Sequence, residues 1–139
     1  MKMQIDSNTY QEYQRYAEQK LYEHVETCIK TGNLEELKKI CSENTIDFTH
    51  DSGFLGILAV EKPEILRFMS EHSPRLLECY GIDILTATVW SHNVESASFL
   101  KENSVDCSSL IGTNVHDYYV EMIGIDKHND NCSHELELI

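Results

Sequence analysis

Basic residues are scarce in this chain: 11 lysines and arginines stand against 24 aspartates and glutamates in 139 residues, a formal net charge of −13. A surface with so few cations cannot neutralise a run of phosphates, so neither nucleic acid nor an anionic membrane is an expected partner. Long apolar runs are missing as well. The longest, FLGILAV at residues 54–60, falls far short of the ~20 residues that cross a bilayer. Residues 1–6 have no apolar run behind them, and a secretory signal is not expected. The five cysteines, Cys28, Cys41, Cys79, Cys107 and Cys132, contain no CxxC pair, and such an odd set reads as reduced thiols in an intracellular, cytoplasmic protein. GxGxxG and GxxxxGKS are absent, and no strand-turn-helix elbow presents a nucleophile. Catalysis and cofactor binding are therefore not expected.

What is present is recurrence. In CIKTGNLEELKKICSEN, residues 28–44, Gly32 follows one apolar-periodic segment and ends a helix cheaply, because it can take positive φ. A second segment starts at once, with Leu34, Leu37, Ile40 and Cys41 on one face. This helical hairpin comes back. PEILRFMSEHS begins at Pro63 and VESASFLKENS at Val94; aligned on Leu37, Leu66 and Ala97, the copies lie 29 and 31 residues apart, a spacing typical of stacked repeats.

The flanks complete a small all-α domain. One long helix is expected over residues 9–30, started by a Thr9/Glu12 capping box and striped with Tyr10, Tyr13, Ala17, Leu21, Val25 and Cys28. Its first half, NTYQEYQRYAEQ, should cover the end of the stack, although tyrosines also serve as contact residues. Residues 46–53 end in Gly after a polar string and read as an exposed loop. Helices are expected to start near Phe54 and Pro63. Residues 73–82 read as a connection in which Leu76 and Leu77 pack back. A last helix over residues 114–123 presents Val115, Tyr118, Tyr119 and Met122 as its apolar face.

The recurring segments resemble the outer helix of ankyrin repeats, and LTATVWSH, residues 85–92, resembles the inner helix with its closing turn. LAVEK before Pro63 resembles the same inner element, while the Thr-Pro-Leu-His signature of the family is absent. The resemblance covers residues 22–106 and implies an ankyrin-like solenoid with a long N-terminal and a short C-terminal capping helix. Its parts would be repeat 1 at 22–53, repeat 2 at 54–82, repeat 3 at 83–112 and a cap at 113–123, one domain over residues 1–123, with a polar tail at 124–139. It implies that residues 43–53 project sideways as a hairpin tip. It also implies that Trp90, the only tryptophan, stands at a variable position on the concave side. The expected partner surface joins Trp90 to Thr49, His50 and Asp51 of the loop and to Arg75, Glu78 and Tyr80 of the next connection. Proteins are the usual partners in the family, and the acidic balance favours a basic one. The chain is expected to be a monomeric adaptor or inhibitor-like module; for a protein that a pathogen delivers, the compartment would be a host cell.

Three rivals remain open on sequence. His128, Cys132 and His134 are residue types that bind zinc when they converge, which would suit a small metal-dependent protein or enzyme, but their spacing matches no closed four-ligand pattern and no metal is expected. An acidic array could instead serve as a spacer or oligomerisation piece. The hairpins could also belong to another helical-pair solenoid, against which the long loop at 46–53 speaks.

Overall fold

A computed structural model describes residues 7–126, which form seven α-helices linked by turns and short 3₁₀ segments, with no strand among the described residues. The all-α class is thus the one the periodicity implies. α1 runs Ser7–Thr31, α2 Leu34–Glu43, α3 Phe54–Leu58, α4 Pro63–His72, α5 Arg75–Ser91, α6 Val94–Glu102 and α7 Asn114–Asp126.

The helices come in pairs because the turns inside each pair are short, and two of them are chemically alike. After α1, Gly32 takes the left-handed conformation (φ 74°) and its N–H donates to the Ile29 carbonyl, while the Asn33 N–H donates to that of Cys28 at 2.8 Å. His92 repeats this after α5 (φ 57°), with its own N–H on Val89 and the Asn93 N–H on Thr88. These two bonds tie off a helix C-terminus. Each asparagine then starts the next helix: Asn33 Oδ1 accepts the Glu36 N–H at 3.2 Å, and Asn93 Oδ1 accepts that of Ser96 at 2.9 Å. The middle turn is built otherwise. The chain tightens into a 3₁₀ turn at Ala59–Glu61, and Pro63 opens α4 where its missing N–H leaves no bond unmade.

Four residues past each cap the three pairs coincide. Leu37, Leu66 and Ala97 are the fourth residues of α2, α4 and α6; their N–H groups donate to the carbonyls of Asn33, Lys62 and Asn93, and their side chains are fully buried. α3 packs against both α1 and α5, α5 against α7, and α4 against α6. α3 and α5 approach closely at Gly56, where a Cβ would fall 2.7 Å from the Ile84 side chain. Between neighbouring pairs, the Ser96 hydroxyl donates to the Val60 carbonyl at 2.6 Å, which satisfies a hydroxyl that packing has removed from water. Arg67 of α4 lies 4.9 Å from the Phe99 ring centroid of α6 and reaches Glu102 at 4.0 Å. At the C-terminal end Tyr119, Met122 and Ile123 are buried, and α7 covers α5 and α6.

Three expectations need correction. Thr9 is not a cap, since α1 already includes Ser7, and the first half of the stripe it was to begin is exposed, Tyr10 by 54 %, Tyr13 by 69 % and Ala17 as well, while Leu21 is half-buried and Val25 and Cys28 are buried. The reason is length. At 1.5 Å per residue α1 extends about 37 Å, more than twice the span of the ten-residue α2 beside it, and no other described element buries residues 8–20. The loop before α3 does not project as a hairpin tip, because Ile46 and Phe48 alternate with exposed neighbours and are buried, Phe48 edge-on to Phe68 and His72 of α4. Residues 75–82 are helical, part of an α5 that runs through Leu76, which is buried, with a single non-helical residue at Tyr80 (φ −127°, ψ 15°).

Leu66→Ala should cost about 2–5 kcal/mol, Asn93→Ala about 1 kcal/mol and Trp90→Ala, which loses only the ring pair with Tyr118, about 0.5–1.5 kcal/mol. Chemical denaturation measures all three, and equal losses at Leu66 and Trp90 would contradict this packing.

Candidate interaction surface

Trp90 is the penultimate residue of α5. Thr88 and Val89 occupy the inward directions there and are buried, so the next side chain, rotated about 100° further, turns outward. Trp90 is 58 % exposed. Its only ring partner among the described residues is Tyr118 of α7, itself 47 % exposed, with centroids 6.2 Å apart and planes at 64°. Edge-on pairs of this kind contribute about 0.5–1.5 kcal/mol, enough to hold the indole in place without hiding it. Tyr118 was expected on the inward face of its helix. Tyr119, Met122 and Ile123 take that face instead.

The loop residues are held firmly. Asp47 accepts the Thr49 hydroxyl at 2.6 Å and the Thr49 N–H at 2.9 Å, and these bonds keep its carboxyl below the ordinary carboxylate range. The Asp47 N–H donates to the Tyr22 hydroxyl, and the His50 imidazole stacks on the Tyr22 ring at 3.9 Å and 12°. Thr49 is half-buried, whereas His50 and Asp51 are exposed. With Tyr22, Glu23, Glu26 and Phe54, His50 and Asp51 border an open hollow of about 410 Å³ against α1.

The remaining three residues separate. Tyr80 lies across Gly53, where a Cβ would come 2.6 Å from the ring, so it supports the loop from beneath. Arg75 is exposed, its guanidinium 4.0 Å from the Cys79 sulfur, and Glu78 borders a different hollow with Arg67, Leu77 and Phe99. Fifteen residues of α5 put Trp90 about 22 Å from Arg75 along the axis. The seven residues named from sequence thus do not converge on one patch: Trp90 stands with Tyr118, and Thr49, His50, Asp51 and Tyr80 gather around the loop. Tyr118 and Tyr22, the ring partners, were not among the seven. A tyrosine pair at 118–119 on a short amphipathic helix was the available signal for the first; nothing in the sequence marked the second. A further hollow of about 630 Å³ runs past Gly32, Lys62, Pro63, His92 and Asn93, and so aligns the three turns along one open groove.

Little reactive chemistry is on display. Burial raises the Cys28 thiol, with Glu36 adding to the effect, and burial together with Cys28 pushes the Cys41 thiol up to about 11. An activated cysteine has the opposite shift. No group of three or more His, Cys, Asp or Glu that could hold a metal exists among the described residues, and His128, Cys132 and His134 lie outside them. No helix among the described residues is long and apolar enough to cross a membrane. No protein-family model, curated protein or solved structure matches the chain significantly.

Two outcomes follow from the titrating groups. Because the folded Asp47 carboxyl titrates low, the stability it contributes is present above the unfolded carboxylate pKa and is lost as pH falls through the folded one. Thermal melts should therefore show Asp47→Ala less stable than the parent at neutral pH, with the gap closing as pH falls below the ordinary aspartate range. Among the four described cysteines, alkylation under native conditions should reach the exposed Cys79 first and the buried Cys28 last, read by mass spectrometry of the digest.

Proposed function

We propose that this chain is a non-catalytic recognition module, an ankyrin-like array of three helical hairpins that binds a protein partner with Trp90 and Tyr118 as its anchor. The observation that carries this reading is the indole of Trp90, left 58 % exposed at the end of a helix whose neighbouring residues are buried. Large rings presented this way supply a disproportionate share of binding energy when a partner desolvates them. The equivalent burial of Leu37, Leu66 and Ala97 and the alignment of three turns along one groove support the array, since stacked hairpins present successive tips in a row. A net charge of −13 favours a partner with a Lys- or Arg-bearing surface. His50 and Asp51, held on a rigid loop beside Phe54, form a second contact region at a distance from the first.

The test is a titration against the protein captured by the full chain from lysate of its source cells. Trp90→Ala should weaken that affinity by about 2 kcal/mol or more, and added salt should weaken it further. Affinity unmoved by the substitution removes Trp90 as anchor, and affinity flat in salt removes the basic partner.

A further inference from the structure

The open groove across the three turns has a volume of about 630 Å³, and the apolar part of its lining is Gly32, Pro63, Ile65 and Val94. Neighbouring turns touch along it. A Cβ at Gly32 would lie 3.3 Å from Lys62 Cε, so the lysine stem runs across the first turn, and the Ser96 hydroxyl on the Val60 carbonyl ties the third turn to the second. Adjacent helices pack about 8–10 Å apart, so three turns in a row span about 20 Å, the length of about six extended residues.

The rim is acidic. Glu61, Glu64 and Glu95 line the groove, all three are exposed, and none forms an ion pair among the described residues. Glu64 and Glu95 are the second residues of α4 and α6, where a carboxylate favours the positive end of its own helix. That position accounts for one acid per helix, yet all three border a single hollow. Lys62 is the only lysine or arginine in the lining, and its stem is turned toward Gly32.

Spacing decides which cation fits. No three His, Cys, Asp or Glu side chains among the described residues could share one metal ion, although His92 also lines the groove, so the carboxylates call for separate positive charges. An extended chain bearing lysine or arginine offers these, since residues two apart project on one side about 7 Å from each other.

We infer that this groove holds an extended Lys- or Arg-bearing segment of the partner, its cations paired with Glu61, Glu64 and Glu95 and its backbone over the three turns. The inference deepens the recognition reading above and rests on it for the partner's being a protein. Trp90 precedes His92 by two residues, at most about 7 Å of chain, so a partner seated in the groove has the indole within reach.

The probe is a fluorescein-labelled peptide alternating lysine and alanine over about eight residues, titrated with the full chain and followed by anisotropy at about 50 mM salt. Glu61→Gln, Glu64→Gln and Glu95→Gln together should raise Kd about tenfold, each removing one exposed ion pair. Glu12→Gln, Glu43→Gln and Glu121→Gln together change the net charge equally at exposed positions outside the groove lining, and should move Kd less than about twofold. Heteronuclear NMR of the parent needs no variant to fold: amide shifts on adding the peptide should centre on residues 31–34, 60–65 and 92–96. Against the protein captured from lysate, a loss with Trp90→Ala but not with the groove triple overturns the groove and leaves the recognition reading standing. Peptide binding that depends on the groove, with Trp90→Ala harmless to the captured protein, removes the anchor and keeps the groove. No peptide binding, equal losses with the two triples, or spermidine binding as tightly as the peptide overturns the inference.

Discussion

Each of α2, α4 and α6 is held in place by the residue at its fourth position, which the surrounding packing keeps out of water. Leu37, Leu66 and Ala97 can be buried only if the chain reverses within two residues of the preceding helix. A reversal that tight needs a backbone in the left-handed region, which Gly32 and His92 supply, or a 3₁₀ contraction such as Ala59–Glu61. The size of the fourth residue also matters. Ala97 is small, and around it Ser96 and Ser98 are buried as well. The buried Ser96 hydroxyl is tolerable there because the Val60 carbonyl, freed at the end of the preceding 3₁₀ turn, accepts from it.

Much of this was legible in the chain, and the limits have physical causes. Helix starts at Phe54, Pro63 and Asn114, and the equivalence of Leu37, Leu66 and Ala97, followed from local chemistry: a proline at a first helical position, a glycine before an apolar run, a recurrent spacing. Periodicity reports which residues share a face; it does not report whether anything covers that face. Hence Tyr10, Tyr13 and Ala17 share a face, and all three are exposed among the described residues. In the loop before α3, Ile46 and Phe48 stand two apart, the alternation of an extended segment with one face inward, and a reading tuned to polar residues passed over it. In α5, Pro74 caps the helix start and the leucine pair after it begins an apolar face, but Ser73 and Pro74 carry the same local signals as a turn.

The site was less legible than the fold. Exposure of Trp90 depends on a rotation of one residue relative to Val89, which no spacing rule settles, and its contact with Tyr118 joins two helices 28 residues apart in sequence. His50 and Asp51 lie where sequence placed them in an exposed stretch, yet their rigidity comes from Tyr22 and Asp47, residues with no distinguishing pattern of their own. Residues that present a surface can be guessed from composition. Those that hold it still are recognised only once the chain has brought them together.

The two exposed aromatic regions differ in what surrounds them. α1 packs on α3, α3 on α5 and α5 on α7, so the Tyr10 and Tyr13 stripe belongs to the first helix of this row and the Trp90 and Tyr118 pair to the last two. The stripe carries no net charge, whereas the remainder of the chain carries all of it. A ligand of opposite sign is therefore drawn to residues 22–139, so contact at the Trp90 and Tyr118 pair gains from that attraction, whereas contact along the first half of α1 does not.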